Sequence, residues 1–141
     1  MFSRFKGYIL PMAMTAILLG GIWIMFFSHT RSHSVGEPIV QVKLPEKLSQ
    51  SASQGQKIFE KNCSACHGKY AGGSDNGPPL VHGIYEPNHH SDQSFFRAAK
   101  NGVRAHHWPF GNMPPVKSVN REDVQQIISY VRTLQRENGI Y

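Results

Sequence analysis

Cys63-Ser64-Ala65-Cys66-His67 constrains this chain more than any other stretch of its 141 residues. Two thiols stand at i and i+3, with an imidazole directly after the second. Three chemistries use such a pair: a dithiol–disulfide couple, half of a tetrahedral zinc site, or thioether attachment of a haem with the histidine on its iron. Both cysteines of the chain lie inside this motif. No disulfide framework is left over, so a small domain here must be stabilised in another way.

Helical periodicity dominates the sequence from Ser51 onward and predicts an all-α domain over residues 51–141. Ser51 followed by Gln54 has the form of a capping box ahead of Gly55, Ile58 and Phe59, and this helix should run into the Cys63 motif. Ser91 can cap a second, shorter helix carrying Phe95, Phe96, Ala98 and Ala99, with Asn101-Gly102 as its stop. Asn120 can cap a third. There Val124, Ile127, Ile128, Val131 and Leu134 form one apolar stripe, and Gly139 is a natural end. Glu122 and Asp123 suit the positive end of that helix, and Arg132 and Arg136 its negative end.

This frame separates the three chemistries. A thiol-redox pair calls for a βαβ setting, which the helical pattern denies. A zinc site calls for two more ligands at suitable spacing, and there is no second cysteine pair. The loops at 68–90 and 102–119, rich in Gly, Pro, Asn and His, also leave a domain of 91 residues short of apolar core. A covalently bound haem would supply a large flat apolar body for them to pack against. One haem c is therefore expected, attached through Cys63 and Cys66, with His67 on the iron.

Ahead of the domain, Tyr8 to Phe27 is a run of 20 residues without a charge. As a helix it would span about 30 Å, the thickness of a bilayer's hydrocarbon core. Arg4 and Lys6 precede it, while Trp23, Phe26 and Phe27 enrich its far end, as suits an interfacial belt. The expected organisation is a cytoplasmic N-terminus at 1–7, a transmembrane anchor at 8–27, a tether at 28–50 and the haem domain at 51–141. A cleaved signal peptide is the competing reading, with Ser32-His33-Ser34 as a marginal cleavage site.

The net charge of +6 is concentrated around that segment. From Val35 onward 12 Lys and Arg face 9 Asp and Glu, with no basic run, so no nucleic-acid partner is expected.

In its motifs the region 51–141 resembles the class I cytochromes c. Gly55 and Phe59 stand ahead of C-x-x-C-H. Gly77-Pro78-Pro79-Leu80 matches the family's Gly-Pro-x-Leu segment, and Gly111-Asn112-Met113-Pro114-Pro115 its late Met-Pro loop. Ile127 and Tyr130 match the aliphatic and aromatic residues of its closing helix. The short interval between His67 and Met113 is similar to that of compact bacterial members, here with a membrane anchor added.

The resemblance implies Met113 as second axial ligand, the Pro78 carbonyl as acceptor for the His67 ring, and Leu80 as a haem-pocket residue. It also implies that Trp108, or Arg104, bonds a haem propionate, and that Gly55 lets the first and last helices cross closely. The implied activity is electron transfer between respiratory or periplasmic redox proteins, at the outer face of a bacterial cytoplasmic membrane, with no enzymatic reaction. Lys57, Lys61, Lys69, Lys100 and Lys117 are candidates for steering an acidic partner. Two alternatives stay open: a cytochrome subunit of a larger oxidoreductase complex, and a haem sensor or peroxidase whose Met ligand detaches. His82, His89, His90, His106 and His107 are rival iron ligands, and the two His-His pairs are a conceivable copper or zinc site.

Overall fold

The structure, a computed structural model, describes residues 37–141. Four α-helices occur among these residues: α1 (Gln50–Asn62), α2 (Ser64–His67), α3 (Asp92–Asn101) and α4 (Arg121–Glu137). Single 3-10 turns at Lys69–Ala71 and Gly83–Tyr85 punctuate the long loop between α2 and α3. Among the described residues there is no β-strand, only the isolated bridges Ser74–Gly77 and Val103–Met113. The all-α expectation matches what is described. The expected anchor at 8–27 lies outside the described residues, within which no helix is long and apolar enough to cross a membrane.

α1 begins earlier than expected. Its cap is Ser49, whose Oγ accepts the Ala52 amide at 3.2 Å, and not Ser51, which sits exposed in the first turn. A serine three residues ahead of a free amide can close the turn wherever a hydroxyl is available, and two serines competed for the role. Asn120 caps α4 as expected. The Asp123 amide donates to Asn120 Oδ1 and the Asn120 amide donates back to Asp123 Oδ2, both at 2.9 Å. Ser91 occupies the cap position of α3 without a side-chain cap bond. Its carbonyl instead accepts the amide and the hydroxyl of Ser94, at 2.8 and 2.6 Å.

The core forms where α1 crosses α4. A Cβ on Gly55 would lie 1.9 Å from the Gln126 carbonyl oxygen, so backbone meets backbone at the crossing and only glycine fits. One turn on, Phe59 and Tyr130 are both buried, with ring centroids 5.7 Å apart at a tilt of 57°. Such a pair adds about 0.5–1.5 kcal/mol beyond its buried area. The α4 stripe of Val124, Ile127, Ile128, Val131 and Leu134 is buried throughout, as its periodicity requires.

Residues 38–48 depart from the tether reading. The Val40 amide donates to Gly72 O at 3.0 Å, and Val42 and Leu48 pack against the core. Asn138, just past α4, brackets Lys43, accepting its amide and donating to its carbonyl, both at 2.8 Å. Lys43 Nζ also reaches Glu137 at 2.8 Å. This segment is a strap over the domain, because its alternating apolar residues and backbone groups find partners there.

Candidate haem-binding site

α1 ends by running into the motif. The Cys63 amide still bonds Phe59 O at 2.8 Å, but the backbone then leaves helical geometry and restarts as α2. The Cys63 carbonyl accepts from both the Cys66 and the His67 amides, at 3.1 and 2.9 Å. One tight helical turn therefore presents both thiols and the imidazole close together. Both cysteines are free. Burial, helped by the neighbouring Cys66, pushes the Cys63 thiol up to about 11.

The His67 ring is oriented by a single bond: Nδ1 stands 2.9 Å from the carbonyl oxygen of Pro78. A carbonyl can only accept, so Nδ1 carries the proton and Nε2 keeps its lone pair. That is the arrangement of a metal-ligating histidine, whose outer nitrogen is held by a fixed acceptor. Burial pushes the His67 pKa below its ordinary value, with the Pro78 bond opposing, so the ring favours the neutral form a ligand needs.

A cavity of about 680 Å³ opens beside this turn. Cys63, His67, Pro78, Leu80, Trp108 and Met113 all line it, which brings these six expected haem-site residues together. Cys66, beside Cys63 on the same turn, is exposed and does not line the cavity. Phe59, Phe95 and Ile127 supply apolar wall from α1, α3 and α4. Met113 is set in place by a reciprocal backbone pair with Val103, each amide donating to the other's carbonyl at 2.9 Å. Gly102 makes that pairing possible: it has φ +76°, and a Cβ there would lie 2.4 Å from Met113 O.

The residues present fit a haem. The donor set is a neutral imidazole and a thioether facing one apolar cavity, the ligand types that low-spin haem iron takes. Trp108 adds an independent sign. Its Nε1 is buried and makes no hydrogen bond of full geometry, with the Tyr85 phenol near it and the ring packed against His82 (centroids 5.3 Å) and Phe110 (6.1 Å). An orphaned indole N–H beside the cavity suits an acceptor brought by a bound group, such as a carboxylate.

Two arginines here have roles the sequence did not show. Arg132 was expected to complement the end of α4, but its side chain is buried and faces inward. Its Nε donates to Asp92 Oδ1 at 2.9 Å, Nη1 to Tyr85 O at 2.8 Å, and Nη2 to His90 O. It thereby pins the loop ahead of α3 to α4. An arginine four residues after Ile128 on a buried helix face was the available signal. Arg97, on α3, lines the cavity beside the anticipated Arg104.

His82 does not line the cavity; its Nδ1 accepts the Ile84 amide at 3.2 Å. His89, His90, His106 and His107 do line it, and they cluster with one another. Burial lowers the His90 pKa, with His89, His106 and Arg132 adding to the effect and the Ile84 carbonyl opposing it. Desolvation and then the charges of His106, His90 and His89 lower that of His107.

Residues 52–135 match the cytochrome c family model. No curated protein and no solved structure matches the chain. The family match, extending over more than half of the chain, accords with the oriented imidazole, the paired thiols and the apolar cavity: the chain belongs to the cytochrome c family, a family of covalently bound haem c and haem-based electron transfer.

Proposed function

We propose that the chain is a single-haem carrier of one electron at a time between redox proteins, with no bond chemistry of its own. One observation carries this reading: His67, its Nδ1 committed to Pro78, lines the same cavity as Met113. Haem c supplies the Fe(III)/Fe(II) couple when bound. Cys63 and Cys66 would hold it through thioethers, and His67 and Met113 would ligate its iron. Met113 is the one methionine of the chain's five that lies in the domain. Its thioether is soft, neutral and a poor proton acceptor, which favours a raised potential. With both side chains on the iron, no ligand site would be open to a substrate.

Some of the other lining residues would serve that couple. Phe59, Leu80, Phe95 and Ile127 exclude water, and Trp108 Nε1–H, with Arg97 and Arg104, would meet the propionates. Lys57, Lys61, Lys69, Lys100 and Lys117 are exposed, which suits transient steering of an acidic partner. The charge-free run Tyr8–Phe27 and the basic residues before it support an anchored protein, its haem domain on the outer side of a bacterial cytoplasmic membrane.

A potentiometric titration tests the ligand pair. The full chain should show one reversible one-electron wave, and Met113→Ala should move its midpoint to lower potential. An unmoved midpoint and an unchanged ferric spectrum in Met113→Ala would rule out methionine ligation.

A further inference from the structure

At the exposed rim of the cavity the electron-carrier reading leaves one constellation unused. His89, His90 and His107 each offer a ring nitrogen, and the three nitrogens lie within 4.8 Å of one another. His89 Nε2 and His107 Nε2 are 3.4 Å apart. His106 lies beside them, its ring centroid 4.2 Å from that of His107 at a tilt of 50°. The residues come from two loops, 17 positions apart in the chain between His90 and His107.

We propose that His89, His90 and His107 form a zinc site that clips these two loops together, with water in the fourth position. Three features carry the assignment. The first is spacing. Tetrahedral zinc with Zn–N bonds of about 2.0–2.1 Å places neighbouring nitrogens about 3.3–3.4 Å apart. That is the separation of His89 and His107. Square-planar neighbours at the same bond length would stand about 2.9 Å apart, closer than the His89–His107 pair, whose spacing favours the tetrahedral ion over copper(II).

The second feature is ring orientation. His90 Nδ1 is held by Ile84 O at 2.7 Å, which leaves Nε2 as the nitrogen with a free lone pair. A carbonyl on the outer nitrogen is the usual support of a ligating imidazole. The third is preorganisation. Arg132 pins the first loop through Tyr85 O and His90 O, so His89 and His90 sit on an anchored backbone. The Ala105 amide donates to Asn112 Oδ1 at 2.9 Å, and the Val103–Met113 pair closes the second loop around His107. Loops already positioned lose little conformational entropy on binding the ion.

The consequence is mechanical. The second loop also carries Met113, so an ion shared between the loops ties the Met113 segment to the loop held by α4.

The test uses the full haem-loaded chain, stripped with a chelator and titrated with zinc chloride against a chromophoric competitor. One equivalent should bind with a Kd of about 1 µM or tighter. His89→Ala/His107→Ala should weaken it at least about tenfold while the far-UV circular dichroism, which reports the helical fold, stays unchanged. Zinc should raise the thermal midpoint of the wild-type chain and leave that of the double variant where it was. No saturable equivalent in the wild-type chain, undiminished affinity in the double variant, or uptake of copper(II) but not zinc would each overturn the assignment.

Discussion

The Nδ1–H of His67 points at the carbonyl oxygen of Pro78 across 2.9 Å, and this bond decides which ring nitrogen is left for a metal. The acceptor is backbone, so the proline ring is not what the histidine needs. Pro78→Ala keeps the carbonyl and is expected to shift the midpoint potential by less than about 59 mV, a tenfold change in a one-electron equilibrium. Redox titration of the variant checks this; a larger shift would mean that the proline ring itself holds the carbonyl in place.

Gly55 is a different kind of requirement. An alanine there gains up to about 1 kcal/mol in helix propensity. It also places a methyl 1.9 Å from Gln126 O, where the neighbour is backbone and cannot swing aside. Overpacking of this kind costs about 1–3 kcal/mol or more, so the clash wins. Gly55→Ala should lower the denaturation midpoint in guanidinium while the folded fraction keeps the wild-type haem spectrum.

Tyr130 packs its ring on Phe59 but leaves its hydroxyl buried without a partner. An unmet buried hydroxyl costs about 1–3 kcal/mol, so Tyr130→Phe should be neutral or stabilising at neutral pH. Tyr130→Ala, which empties the ring's volume, should cost about 3–5 kcal/mol. Burial, then the nearby Glu60 and Tyr70, raise the phenol pKa above its ordinary 10.0. The folded state therefore holds this proton more tightly than the unfolded one, and the stability linked to it is full below about pH 10 and lost as pH rises further. Denaturant midpoints at about pH 7 and about pH 10.5 should show the advantage of Tyr130→Phe over wild type widening with pH.

What the sequence disclosed follows from how local each signal is. The α4 stripe, the Asn120 cap and the Cys63–His67 turn depend on residues within a few positions of each other, and they stand as expected. So does the crossing at Gly55, which the resemblance to the class I cytochromes c implied. Ser49 displaced Ser51 as a cap because two hydroxyls stood within reach of the same helix start. Arg132 was misplaced because a charge near a helix end reads as solvated, whereas its partners Tyr85, His90 and Asp92 are at least 40 positions away. The strap at 38–48 looked like linker for the same reason, since Gly72 and Asn138 are remote in sequence. The His-His pairs were visible as pairs, but their convergence is a product of the tertiary fold.

Carbon monoxide binding to the ferrous protein tests the central claim most directly, that His67 and Met113 close both faces of the iron. The wild-type chain is expected to bind it slowly or not at all, and Met113→Ala to bind it readily. Prompt binding by the wild-type chain, or the same slow response in Met113→Ala, would contradict an iron closed by His67 and Met113.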